Sequence, residues 1–299
     1  MNSRAEPVRG MVGRMIYALG LGALLAYGGL VLLFIAESWP AWRSAGVGMI
    51  TSGEWFFRAG RFGALAMIYG SAVVSALALV LAAPVGIGAA IFTAELLPAR
   101  ARLGVKVAIE LLAGIPSVVY GLLGVLLLRE WMLPLLAPWE PLSGDTLATA
   151  GVLLAVMILP TVMTLADDAL AAVPRRQKEA ARCLGLSRGE TVLAVSLPQA
   201  RSGLAAALLL GLGRALGETI AVFLVVGRQD NQLPERLVSF AAAANAGQTL
   251  TSKLGGSETA IAYGDPLHWG AISALGLILL ALAGGVTLAG ARLAHGRAA

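Results

Sequence analysis

Six long apolar stretches alternate with short polar segments along the 299-residue chain. The stretches lie near residues 15–36, 65–93, 105–128, 146–166, 203–226 and 268–291. A helix needs about twenty apolar residues to cross the hydrocarbon core of a membrane, and each stretch reaches that length. The pattern therefore predicts an all-α, polytopic membrane protein with six transmembrane helices.

Two apolar segments need a separate interpretation. The first stretch follows several arginines, as a signal peptide would, but it is longer than a signal core and no small-x-small cleavage pattern precedes Glu37. We interpret it as an uncleaved first helix. Residues 237–246, in the long loop at 227–267, are apolar but too short to cross a membrane, so we expect an interfacial or re-entrant segment.

A charged segment, residues 173–198, separates the fourth and fifth stretches, and we call it the polar island. Pro174 favours the first turn of a helix, and Gly185 favours its end. Ser187 and Glu190 match the S-x-x-E capping box, which predicts a second helix ending near the last residues of the polar island. Each helix has about ten residues, too few to cross a membrane. The polar island is therefore predicted to lie at the membrane surface.

The composition agrees with a membrane location. Hydrophobic residues make up 58% of the chain and charged residues 13%, whereas soluble domains contain about 25% charged residues. A net charge of +5 would suggest nucleic-acid binding in a soluble protein, but no platform of aromatic and basic residues is present. We therefore expect membrane lipid, and no nucleic acid, among the partners.

Lysine and arginine concentrate in alternate polar segments. The richer segments are the N-terminal tail, residues 94–106, residues 167–201 and the C-terminal tail. They carry about twice as many basic residues as the loops at 37–64, 129–144 and 227–267, and such residues accumulate in cytoplasmic loops. Both termini and the polar island are therefore predicted to be cytoplasmic.

Residues suited to catalysis or metal binding are sparse. The one cysteine, Cys183, excludes an internal disulfide, and two histidines leave little for a metal site. The chain has neither a dinucleotide fingerprint nor a phosphate-binding G-x-x-x-x-G-K-[ST] loop. We predict no catalytic residue, no metal and no cofactor, and we do not expect this chain to hydrolyse nucleotide by itself.

The fifth stretch contains two charged residues, Arg214 and Glu218, four positions apart and hence on one helical face. Gly213 and Gly217 beside them form a small-xxx-small pattern that permits close helix approach. Charges at this depth cost at least a few kcal/mol each, so they should face the bundle interior. Either the two residues form a structural clamp, or Arg214 presents positive charge to an anion in transit.

Three further carboxylates lie at the ends of stretches. Glu110, in the third stretch, precedes Pro116, which is expected to bend that helix. Glu110 either pairs with Lys106 or reaches the interior pathway, and a carboxylate at the cytoplasmic helix end is the interpretation we favour. Asp167 and Asp168, after the fourth stretch, are expected to be solvated.

The polar island carries a recognisable motif. Glu179-Ala180-Ala181, three residues, Gly185, nine residues and then Val195-Ser196-Leu197-Pro198 resembles the E-A-A-x3-G-x9-I-x-L-P loop of ABC importer permeases, with valine in place of isoleucine. The resemblance implies that this loop forms coupling helices that dock on an ATP-hydrolysing subunit. The implied coupling residues are Glu179, Ala180, Ala181, Gly185, Leu197 and Pro198.

Residues 109–121, 213–222 and 250–257 look like the permease subunits of phosphate importers, of the PstC type. This resemblance implies a type I ABC importer permease in the bacterial inner membrane that carries inorganic phosphate. Its implied partners are a second, PstA-like permease subunit, two ATP-binding subunits and an external phosphate-binding protein. The implied pathway residues are Arg214, Glu218, Thr219 and Glu110.

The resemblance also suggests a division of the chain. Residues 1–64 would hold the N-terminal tail, first helix and first external loop, residues 65–291 the transport domain, and residues 292–299 a tail. A permease for another oxoanion (sulfate, molybdate or tungstate) is the alternative within this family. A secondary transporter or channel is the alternative from another class, but the charges are concentrated in one loop rather than spread over several helices.

Overall fold

The computed structural model describes residues 5–234, 236–237 and 239–295. In these ranges six helices are long and apolar enough to cross a membrane. They span Gly13–Ala45, Leu65–Leu96, Ser117–Trp139, Leu147–Ala171, Arg188–Gly217 and Pro266–Leu293. The predicted all-α fold with six spans is confirmed, although the first span ends nine residues later than predicted and the third and fifth spans are displaced at both ends.

The first helix, α1 (Ala5–Ala45), lies at the edge of the bundle. It packs against the last helix, where a Cβ on Gly276 would lie 2.7 Å from the Phe34 ring. A short helix, α2 (Gly48–Thr51), follows it. An antiparallel pair of two-residue strands, β1 (Trp55–Phe56) and β2 (Arg61–Phe62), then leads to the second span.

The centre of the bundle is the contact between α3 (Leu65–Ile91) and α7 (Leu147–Ala171). Helix α7 is the most buried of the six spans, because 72% of its apolar segment is buried inside the protein. The absence of a side chain on Gly86 permits a close approach of the two helices, since a Cβ there would lie only 2.9 Å from the Val162 side chain. At its end α3 continues as a π-helical segment, Phe92–Leu96.

The third span differs from the prediction. The sequence predicted one helix over residues 105–128, but α4 (Ala99–Ala113) ends at Gly114 and the spanning helix begins at Ser117. Pro116 causes the break, because proline lacks an N–H and disfavours helical geometry in the preceding residue. The spanning part comprises α5 (Ser117–Leu123), a π-helical segment (Gly124–Leu128), α6 (Arg129–Leu136) and a terminal 3₁₀ turn (Ala137–Trp139).

The polar island begins as predicted. Helix α8 (Arg175–Cys183) follows Pro174 and ends at Gly185, whose φ is +94°. The amides of Gly185 and Leu186 bond to the carbonyls of Arg182 and Ala181, which is the pattern of a Schellman cap. The capping box is also present: Ser187 and Glu190 each accept a hydrogen bond from the other's backbone amide.

The second helix of the polar island does not end near Leu197-Pro198 as predicted. Helix α9 (Arg188–Thr191), a π-helical segment (Val192–Ser196) and α10 (Leu197–Gly217) run as one continuous span. Pro198 cannot donate to a carbonyl in the preceding turn, and the wider π-helical turn before it accommodates its ring. The motif therefore ends inside the fifth span rather than in the loop.

The fifth span itself is broken. Helix α10 ends at Gly217, Glu218 is extended (φ −73°, ψ 124°), and a new helix, α11, runs from Ile220 to Val225. The sequence predicted a continuous helix over 203–226. Because of this break, charged residues before and after it do not lie on one continuous helix.

In the described part of the long loop, residues 227–267, three short helices precede the last span. They are α12 (Phe240–Ala243), α13 (Leu250–Leu254) and α14 (Glu258–Ala262), followed by α15 (Pro266–His295). Within the apolar segment 237–246, Ala243 and Ala244 are buried against Met132 and Leu136. The interfacial or re-entrant position of this segment stays a prediction, and Val238 lies outside the described residues.

Candidate functional site

The coupling residues predicted on α8 and just after it differ in their exposure. Glu179, Ala180 and Gly185 are exposed, whereas Ala181 is buried beneath them. Leu184, beside the glycine, exposes 82% of its surface. Helix α8 therefore offers an exposed carboxylate and an exposed apolar side chain at its end, both accessible to another protein.

Leu197 and Pro198 lie apart from this surface, on the first turn of α10. An open cavity of about 430 Å³ is lined by Pro198, Val195 and Arg201. The structure thus places the two ends of the motif on different helices.

The predicted ion pair between Arg214 and Glu218 is not formed. Arg214 donates instead to the hydroxyl of Thr161 on α7, at 2.7 Å, and its side chain is exposed. Glu218 accepts a hydrogen bond from the Ala221 amide and thereby caps α11. The clamp interpretation is wrong, because the helix ends at Gly217, between the two residues, and they do not share one helical face.

The two glycines near this break have different surroundings. A Cβ on Gly213 would lie 2.6 Å from the hydroxyl of Thr287, so Gly213 permits the close contact between α10 and α15. Gly217 has no atom within 4 Å of its Cβ position and instead ends the helix. Thr219 packs on α13, since a Cβ on Gly255 would lie 2.8 Å from its methyl group.

Glu110 does not lie in the third span. It is exposed on α4, and Lys106 pairs with Asp167 (2.7 Å) and Asp168 (3.2 Å) rather than with Glu110. The Lys106–Glu110 pair, one of the alternatives for this residue, is not formed. Glu110 lies in the last turn of α4, and its position at the cytoplasmic face stays a prediction. The position of Glu110 outside the spanning helices also removes the reason for placing it at the pathway.

Asp167 is buried rather than solvated as predicted, while Asp168 is exposed as predicted. The carboxylate of Asp167 accepts hydrogen bonds from Arg102 (2.8 Å), Lys106 and the Thr93 hydroxyl (2.9 Å). The hydrogen bond to Asp167 raises the pKa of Lys106 above its ordinary value. These contacts bind α3, α4 and α7 together beside the polar island.

A second buried charge cluster, which the sequence did not indicate, lies in the long loop. Lys253 is only 3% exposed and pairs with Asp230 at 2.6 Å and with Glu258. Glu258 also accepts from the indole N–H of Trp55, at 2.5 Å, and lies 2.8 Å from His268 Nε2. Burial alone would raise the pKa of Glu258, but these hydrogen bonds hold it below its ordinary value.

A polar cavity of about 300 Å³ adjoins this cluster. It is lined by both carboxylates, Lys253, Arg228 and the polar side chains of Gln248 and Ser252. The only sequence signal for this site was the resemblance of residues 250–257 to phosphate permeases, because Asp230 and Trp55 lie far from Lys253 and Glu258 in the chain.

Comparison with known proteins identifies the family. A family model described as "Binding-protein-dependent transport system inner membrane component" matches residues 86–294. The chain belongs to this family. It is therefore a multi-pass inner membrane protein and a permease component of an ABC transporter.

The relatives of this permease are similar over most of its length. It is 36% identical over 281 residues to the phosphate transport system permease protein PstC of Mesorhizobium japonicum, covering 89% of this chain and 83% of that protein. It is 36% identical over 242 residues to PstC 1 of Mycobacterium tuberculosis (76% and 71% covered). It is 37% identical over 219 residues to PstC of Pasteurella multocida (68% of each).

Two solved transporters share the fold. The MetNI methionine ABC transporter, in an inward-facing conformation, matches with a TM-score of 0.56 and 18% identity, covering 77% of this permease and 94% of that chain. A bacterial alginate ABC transporter matches with a TM-score of 0.54 and 16% identity, covering 92% of each. The predicted type I ABC importer architecture is thereby confirmed. The family match begins inside α3, and the predicted boundary at residues 64–65 stays a prediction.

Proposed function

We propose that this chain is one permease subunit of an ATP-driven importer that carries inorganic phosphate across the cytoplasmic membrane. The observation that carries the proposal is the 36% identity to a phosphate permease over 89% of the chain. Phosphate is favoured over sulfate, molybdate and tungstate because the three relatives described above are all phosphate permeases.

ATP hydrolysis belongs to a separate subunit in this proposal. The chain contains no phosphate-binding loop, and the exposed end of α8 offers Glu179 and Leu184 to another protein. Two ATP-binding subunits would be required, one docking on this polar island and one on the island of a second, PstA-like permease. This arrangement requires both termini and the polar island to be cytoplasmic, as the distribution of basic residues indicates.

Phosphate would meet Arg214 in the pathway, with Glu218 and Thr219 at the helix break beside it. The guanidinium has five N–H donors and uses one on Thr161, which leaves the others for the oxygens of an anion. Arginine suits this role because its planar fork matches the geometry of phosphate. An external phosphate-binding protein would deliver the substrate to the opposite side of the membrane from the polar island.

Uptake of labelled phosphate tests the substrate. Cells that depend on this chain should accumulate phosphate, arsenate should compete because of its similar shape and charge, and sulfate should not compete. Uptake of sulfate, molybdate or tungstate in place of phosphate would show that the oxoanion is wrong. Uptake that continues when the ATP-binding subunits are deleted would instead indicate a secondary transporter.

A further inference from the structure

A buried salt bridge joins the polar island to the second span. Lys178 on α8 lies 2.6 Å from the carboxylate of Glu95, at the end of α3, and the two side chains are only 13% and 5% exposed. The same ammonium group donates to the carbonyl oxygen of Leu170, at the end of α7, at 3.1 Å. One side chain of α8 therefore contacts two transmembrane helices.

Lys178 is oriented differently from the other basic residues of its helix. The side chains of Arg175, Arg176 and Arg182 are exposed, and so is the neighbouring Glu179. In this helix the exposed charges are available to a docking protein, whereas Lys178 points towards the membrane bundle. Helix α8 thus has one face for a partner and one anchor to the spans.

Glu95 lies in the π-helical segment Phe92–Leu96, where the backbone departs from α-helical geometry. Such segments are frequent at functional sites. Thr93, in the same segment, donates to the buried carboxylate of Asp167 on α7. Asp167 in turn pairs with two cations of α4, so two residues of this one segment connect it to α8 on one side and to α7 and α4 on the other.

We propose that Lys178 is a positioning residue for transport. Through Glu95 and Leu170 it converts a displacement of α8 into a displacement of α3 and α7. Removing its charge leaves Glu95 buried without its cation, so α8 moves without a fixed connection to the spans. The proposal rests on the function proposed above, because it assumes that an ATP-hydrolysing subunit moves α8.

The test measures phosphate transport and ATP hydrolysis in the same proteoliposomes, with the complex purified through a tag on this chain. In Lys178→Met we expect the ATP-binding subunits to co-purify and ATP hydrolysis to continue. Phosphate moved per ATP should fall about tenfold, a typical size for coupling between distant sites. Lys178→Arg, which can still pair with Glu95, should restore most of the ratio.

A double-mutant cycle separates coupling from general damage. Glu95→Gln should lower the ratio of phosphate moved per ATP as Lys178→Met does. The double variant should lower this ratio no further than either single variant, because both changes remove the same interaction. Arg61→Met is the matched control. It deletes a cation from an exposed pair with Glu54 (67% and 57% exposed), and it should leave the ratio unchanged.

The outcomes are distinct. Equal losses of transport and hydrolysis, an unchanged ratio, or loss of the ATP-binding subunits from the complex would each overturn the proposal. If the Lys178→Met chain itself cannot be recovered folded from the membrane, Glu95→Gln is judged by the same ratio, and an unchanged ratio overturns the proposal. A wild-type complex that hydrolyses ATP without moving phosphate would refute the proposed function instead.

Discussion

Replacement of Lys253 by methionine probes the charge cluster that holds the long loop. Methionine keeps a similar side-chain length but removes the ammonium group that pairs with Asp230 and Glu258. The ammonium also lies 5.1 Å from the centre of the Trp55 ring. The change therefore leaves two carboxylates facing one another without the cation between them.

The expected loss follows from the burial of these groups. Removing one partner of a buried ion pair costs about 3–5 kcal/mol, because the remaining charge stays desolvated and unpaired. Asp230 and Glu258 keep 34% and 17% exposure, so water screens them in part. We therefore expect the lower end of that range, about 3 kcal/mol. Arg61→Met, at an exposed pair, should cost less than about 1 kcal/mol.

Thermal unfolding in detergent, followed by tryptophan fluorescence, measures this difference, since Trp55 lies in the cluster. At neutral pH Lys253→Met should unfold several degrees below both wild type and Arg61→Met. If Lys253→Met and Arg61→Met unfold at the same temperature, the assignment of a stabilising buried cluster is refuted.

The pH dependence gives an independent check. The folded state lowers the pKa of Glu258, so its stabilising contribution is present above the unfolded pKa of about 4.3 and is lost as the pH falls through the folded pKa. Without Lys253 the buried carboxylate of Glu258 loses its cation, so its protonation then stabilises the folded state instead. The difference between Lys253→Met and wild type should therefore shrink between neutral pH and pH 4. A difference that stays constant would show that lost packing, not charge, causes the effect.

Three further substitutions test other parts of the structure. Gly70→Ala should lower the unfolding temperature, because its methyl group would overlap the Gln248 carbonyl oxygen, and overpacking costs about 1–3 kcal/mol. Gly88→Ala, in the same helix with open space around it, should not lower it. Gly185→Ala should speed hydrogen exchange at the end of α8, because a positive φ costs an alanine about 1–2 kcal/mol. Arg214→Met should slow phosphate uptake about tenfold while the complex still assembles, since a hydrogen bond to a charged group contributes about 1.5–3 kcal/mol.

Each of these has its own contrary result. Equal unfolding temperatures for the two helix variants would contradict the contact at Gly70. Gly189→Ala, on α9 with no atom near its Cβ position, should leave exchange unchanged, and a matching increase there would argue against the cap. Thr161→Val removes the partner of Arg214 but not its charge. If it slows uptake as strongly as Arg214→Met, the pair acts by fixing helix packing rather than by contacting phosphate.

Local features of the fold were predictable because their partners lie close together in the sequence. The capping box joins Ser187 to Glu190, and the turn at Gly185 depends on the conformation of one residue. The six spans were predictable because hydropathy depends on the composition of a segment. It does not depend on whether the helix is continuous, so the breaks after Gly114 and Gly217 were missed.

The candidate site was less predictable because its contacts join distant residues. Thr93 and Asp167 are 74 positions apart, and Lys178 and Glu95 are 83 apart. Neither pair has a local signal, so the sequence predicts a solvated Asp167 and does not distinguish Lys178 from the other basic residues of the polar island. The Arg214–Glu218 pair was predicted from helical spacing, which holds only where the helix is continuous.

The central claim is that this permease moves phosphate at the expense of ATP hydrolysed by other subunits. The most direct test is phosphate accumulation in proteoliposomes that contain the complex purified through this chain, with the binding protein on one side and ATP on the other. We predict accumulation that requires ATP, stops when the ATP-binding subunits are inactivated, and is competed by arsenate. ATP hydrolysis with no movement of phosphate, or phosphate movement that needs no ATP, would contradict the account.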